Sequence, residues 1–70
     1  MNIDLFDIVI SLEAVDGVPV GTIGTIVEIL EKDKFYEIEF LDKNHKTIGC
    51  VTMKPSQFRK LTLEEILSLD

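Results

Sequence analysis

Apolar residues alternate with polar ones in two stretches of this chain, the spacing of strands, and take helical spacing near its end. The clearest alternation is Phe35-Tyr36-Glu37-Ile38-Glu39-Phe40, which predicts a strand with Tyr36, Ile38 and Phe40 inward and Glu37 and Glu39 toward water. Phe6 to Leu12 predicts another, with Phe6, Ile8, Ile10 and Leu12 on one face and Asp7, Val9 and Ser11 on the other. The segment that organises the rest is Val20-Gly21-Thr22-Ile23-Gly24-Thr25-Ile26-Val27-Glu28-Ile29-Leu30. Its β-branched residues suit a pleated surface, so a long central strand is expected from about Thr22 to Leu30. Gly24 within it predicts a bulge or bend where two backbones pass closely. Ile23, Ile26, Val27 and Ile29 cannot share one face of a regular strand, a conflict that a bulge between Ile26 and Ile29 would resolve.

The connections follow from turn chemistry. Glu13 to Gly21 reads as a broad loop holding Asp16-Gly17 and Pro19, with Val15, Val18 and Val20 tucked under it as a lid. Glu31 to Lys34 is a polar turn, and Asp42-Lys43-Asn44-His45 is a tight connection that returns Lys46 to Met53 antiparallel. Lys54 to Gln57 reads as a single helical turn with Pro55 preset for its first position, before a closing strand at Phe58 to Leu61. Five strands without a long helix between them imply antiparallel pairing closed into a small barrel over residues 1–61. Residues 62–70 form a helical extension. There Thr62 and Glu65 make a capping box and Leu61 can staple onto Ile66, so a helix is expected from about Leu63 to Leu69 with Leu63, Ile66 and Leu67 on its apolar face.

Composition narrows the function classes. A chain of 70 residues buries only about 60% of its unfolded surface, and its core alone supplies about 3–5 kcal/mol. Seven Lys and Arg against thirteen Asp and Glu leave a net charge of −6, which repels a phosphate backbone and makes nucleic acid a poor partner. No apolar run approaches the ~20 residues that span a bilayer. The opening Met1-Asn2-Ile3-Asp4 lacks the basic patch and apolar stretch of a secretory signal, so a cytoplasmic location is expected. Cys50 is the sole cysteine and cannot form an internal disulfide, which fits a reducing compartment.

Few groups suggest chemistry. His45 sits in a turn with Asp42 near and Cys50 beyond, at most three candidates on one hairpin where a metal site wants three or four converging ligands, and reads as an exposed turn residue. Cys50 falls mid-strand and is expected to be a small core or half-buried residue. Gly21 and Gly24 precede a strand rather than a helix, so they do not cradle a phosphate. Glu28, Glu37 and Glu39 can share one outer face of adjacent strands with Glu31 at the rim, a solvated acidic patch able to dock a basic partner. No catalytic group, cofactor or metal site is expected.

Three segments carry a resemblance: Leu5-Phe6-Asp7-Ile8-Val9, Gly21-Thr22-Ile23-Gly24-Thr25-Ile26-Val27-Glu28 and Tyr36-Glu37-Ile38-Glu39-Phe40. Over roughly residues 5 to 61 the chain resembles a family of small bacterial proteins known only as a domain of unknown function. The central segment is also similar to the Gly-x-Val stretch of KOW and SH3-like barrels, which implies a five-stranded SH3-like barrel. The chain departs from the family where Asn44-His45 replaces an Asp-Gly turn, and the helix after Thr62 lies outside the family pattern. Some such proteins are encoded beside toxin-like partners, which implies an antitoxin or immunity role.

The expected function is therefore a non-enzymatic protein-interaction module. It would meet another protein through Glu28, Glu37 and Glu39, or a second copy through the helix residues Leu63, Ile66 and Leu67, unless the helix instead plugs an open end of the barrel. The alternative is a KOW-type nucleic-acid-binding module, which needs Lys43, Lys46, Lys54, Arg59 and Lys60 gathered on one face.

Overall fold

The computed structural model describes residues 2–69. Its strands are β1 (Ile8–Ser11), β2 (Ile23–Glu31), β3 (Phe35–Leu41), β4 (Thr47–Met53) and β5 (Phe58–Lys60), with a 3₁₀ turn at Pro55–Gln57 and one helix, α1 (Leu63–Leu67). All pairings are antiparallel and form one mainly β sheet in the order β4-β3-β2-β1-β5. The ladder does not close. β4 and β5 are its two edges, where the alternation along the chain had suggested a sealed barrel.

The sheet is nevertheless forced to curl. Edges of a flat five-stranded sheet lie about 19 Å apart, four spacings of about 4.8 Å. Only Lys54 to Gln57 separate the end of β4 from the start of β5, and a link that is mostly 3₁₀ spans roughly 13 Å. The curl brings Phe58 of one edge strand against Tyr36 of β3, with ring centroids 5.6 Å apart at 78°, the edge-to-face arrangement aromatic rings prefer. Around that pair lie Ile3, Val9, Val18, Ile26, Ile38, Phe40, Val51 and Met53.

Burial along β3 follows the alternation: Tyr36, Ile38 and Phe40 are buried and Glu37 and Glu39 face outward. β1 does not. Its strand begins at Ile8, because Phe6 has φ 69 and projects into solvent with 72% of its surface exposed. The core-facing residues are Val9 and Ser11, while Ile8 and Ile10 are half-buried on the opposite face and Leu12 is exposed. Ser11 tolerates burial because its hydroxyl donates to the Pro19 carbonyl (2.7 Å) and accepts from Thr22 N–H (2.9 Å), satisfying a buried polar group and tying the long loop to β1. In that loop Val18 is buried and Val15 partly so, but Val20 is exposed rather than part of a lid.

Gly24 faces Ile38 and Phe40 across the β2–β3 ladder. A Cβ there would lie 2.7 Å from Phe40 Cδ1, 2.8 Å from Ile38 Cγ2 and 2.9 Å from the Glu39 carbonyl oxygen. Only glycine fits. The register of β2 on β3 then shifts between Ile26 and Glu28, the bulge expected from the crowded isoleucines, and again between Ile29 and Glu31. The shift keeps Glu28 out of the core, sets it opposite Glu37, and places Ile29 opposite Tyr36. Two tight turns end in non-glycine residues with left-handed backbone, Asp33 (φ 66) and His45 (φ 62). The first is held by Tyr36, whose hydroxyl accepts from Asp33 N–H at 3.0 Å.

Candidate functional site

The face of the sheet turned away from the core is graded along the strands. At one end the ladder aligns Glu28 with Glu37 and Thr52, and the next outward row aligns Thr25 with Glu39 and Cys50. Glu28, Glu37 and Glu39 therefore share one face, and none has a salt-bridge partner among the described residues. Glu31, expected at the rim, is instead 3.5 Å from Lys34 Nζ. Like charges directly opposite on neighbouring strands destabilise a sheet, so the Glu28–Glu37 pair is a cost within the fold.

Toward the other end the same face turns apolar. Ile10 and Ile23 are paired across β1 and β2, and beyond them a groove of about 580 Å³ is lined by Val20, Ile23, Leu41, Ile48 and Leu69. α1 lies over this end: a cleft bounded by Ile10, Ile23, Leu61, Glu64 and Leu69 separates it from the sheet. Leu61 is buried yet stands outside the main core cluster, which marks a small second apolar contact beneath the helix. The helix stands across this cleft from Ile10 and Ile23 of the outer face. Of its expected apolar face only Ile66 is half-buried; Leu63 and Leu67 remain 71% and 76% exposed.

Glu65 fixes α1 in place. Its Oε1 and Oε2 accept from Arg59 Nη1 (2.9 Å) and Nη2 (2.7 Å) on β5, and Oε1 also accepts from Thr62 N–H (3.0 Å) while Thr62 Oγ1 accepts from Glu65 N–H (3.2 Å). The capping box is thus joined to a two-pronged ion pair. Hydrogen bonds from Arg59, then from Thr62, lower the Glu65 pKa from 4.5 to about 2, and the same contact raises that of Arg59. Because the folded value is depressed, this anchoring is present above the unfolded carboxylate pKa and is lost as pH falls from about 4.5 toward 2. A carboxyl-detected NMR titration is expected to find Glu65 titrating near 2, with α1 resonances shifting in step. In Arg59→Met the midpoint should return toward the ordinary range; an unchanged midpoint would remove Arg59 as the cause.

The remaining candidates disperse. Arg59 is held by Glu65 and Lys60 lies 3.4 Å from Asp7. Lys43 and Lys46 sit beyond one end of β4 and Lys54 beyond the other, a separation of roughly 26 Å along an extended strand. These cations are spread over the two ends of β4 and over β5. Cys50 is exposed, not buried, because β4 turns Val51 and Met53 inward and leaves Cys50 and Thr52 outward. His45 is exposed on its hairpin, and among the described residues no three of His, Cys, Asp and Glu converge as a metal would need. No helix among the described residues is long and apolar enough to cross a membrane. The pattern of a domain family described as "Domain of unknown function (DUF4926)" matches residues 5–60, stopping short of α1. No curated protein and no solved structure matches.

Proposed function

The chain belongs to the DUF4926 family, a domain of unknown function, and from that premise we propose that it is a non-enzymatic module of the cytoplasm that docks a basic protein partner on the outer face of its sheet. The observation that carries this reading is the Glu28–Glu37 opposition with Glu39 beside it, unneutralised by any cation among the described residues. A fold with about 3–5 kcal/mol to spare gains nothing internally from facing carboxylates. A partner that brings lysine or arginine turns that cost into affinity, and the net charge of −6 speeds its approach. Strand order and the 3₁₀ link support an SH3-like architecture, a fold that hosts many functions, so the docking role rests on the acidic face. An antitoxin or immunity role is one form such masking would take.

The variant Glu28→Gln/Glu37→Gln/Glu39→Gln tests this in two readouts. Removal of facing charges should raise the melting temperature by a few degrees, since such pairs cost about 0.2–1 kcal/mol. The same variant should lose, in a low-salt pull-down from host lysate, a basic protein that the parent retains. Retention by both chains would overturn the docking role.

A further inference from the structure

The acidic rows run out to an edge strand without the usual protection. β4 reads Thr47-Ile48-Gly49-Cys50-Val51-Thr52-Met53, with no charged residue and no proline. On the side away from β3, its backbone N–H and C=O groups meet no hydrogen-bond partner in another element among the described residues. Its irregularities, a register shift between Phe40 and Leu41 and the positive φ of Gly49 (155), lie at the hairpin end and leave Cys50 to Met53 in regular pairing. The opposite edge is different. β5 has three residues, two of them Arg59 and Lys60, and short, charged strands are how exposed edges are guarded against strand addition.

We infer that β4 receives an extended segment of another protein as a sixth strand, carrying basic side chains on the outer face and apolar ones toward the core. This rests on the acidic-face reading above and names the partner's form. The register places Cys50 beside Glu39 and Thr52 beside Glu37. Both edge residues are short and exposed, so a strand beyond β4, roughly 10 Å from β3, can pass a lysine or arginine stem over them to the carboxylates. On the other face its apolar residues continue the row of Val51 and Met53. Backbone hydrogen bonds supply affinity and the alternating side chains supply selectivity, as in other cases of strand addition. A second copy of this chain fits less well. Antiparallel pairing of two β4 strands centred on Cys50 sets Lys46 of each copy against Lys54 of the other and brings no cation to Glu37 or Glu39.

The test uses the full chain and capped seven-residue peptides in low salt, followed by fluorescence anisotropy and amide hydrogen exchange. A peptide of alternating lysine and valine should bind and slow exchange of β4 amides. Its analogue with N-methyl groups on alternate residues should bind at least about tenfold more weakly, because the ladder bonds are removed. Against Glu37→Gln/Glu39→Gln the parent peptide should weaken roughly three- to tenfold. Equal binding of the N-methylated peptide overturns strand addition and leaves the acidic-face reading standing. Equal binding by the Gln variant overturns the acidic-face reading instead. Absence of binding by every peptide, or a dimeric mass with β4 amides already protected in the free protein, overturns the inference.

Discussion

Gly24→Ala is expected to destabilise the protein by about 2 kcal/mol or more, lowering its melting temperature by roughly 10 °C. In most strands the exchange is favourable by about 0.5–1 kcal/mol, because alanine has less backbone freedom to lose. Here the added methyl would stand 2.7 Å from Phe40 Cδ1 and 2.9 Å from the Glu39 carbonyl oxygen. The ring could tilt, but the carbonyl belongs to the neighbouring strand and cannot yield without moving β3 as a whole. Gly21, in contrast, has open space around its Cβ position and φ 82; its requirement is for backbone conformation rather than room. Thermal unfolding of Gly24→Ala followed by circular dichroism decides the matter. A melting temperature equal to or above that of the parent would show that β2 and β3 do not approach as described.

Phe58→Ala should be costlier still, about 3–5 kcal/mol, which equals what a core this small supplies. The variant is expected to be largely unfolded at room temperature. Phe58 is fully buried and is the one buried side chain of a three-residue edge strand otherwise held by its ladder with β1. Phe58→Leu keeps most of the buried apolar surface and loses the ring contact, so it should cost only about 0.5–1.5 kcal/mol beyond the change in size. Tyr36 offers a local probe. It is the sole tyrosine and there is no tryptophan, so near-ultraviolet circular dichroism between 275 and 285 nm, where phenylalanine contributes little, reports the packing of this one ring. That signal should vanish in Phe58→Ala and persist in Phe58→Leu. Its survival in the alanine variant would mean that β5 is not held against β3 by this pair.

How much of this was legible beforehand depends on whether a strand faces two unlike environments. β3 separates core from water cleanly, and its alternation of Tyr36, Ile38 and Phe40 with Glu37 and Glu39 was readable at once. β1 misleads because its more apolar side, Ile8 and Ile10, lies on the outer face, where Ile10 borders the cleft beside α1, while the core side includes Ser11. The partners that make Ser11 tolerable, Pro19 and Thr22, are supplied by a loop whose path no periodicity reveals. The bulge after Ile26 could be foreseen from crowded isoleucines. Its effect, Glu28 against Glu37 rather than beside it, required the register. Lack of closure between β4 and β5 could not be seen in strand count, because a curled open sheet and a sealed one use the same alternation. Nor could the position of α1, since Arg59 and Glu65 look like ordinary surface charges until the ladder sets them within reach.

The ladder between β1 and β5 joins one of the earliest strands to one of the last. A nascent chain leaving the ribosome therefore exposes β1 with one side of its backbone vacant until β5 has been made. Through that interval the surplus of carboxylates keeps neighbouring unfinished copies apart, and the charges of Arg59 and Lys60 arrive with the strand that fills the vacancy.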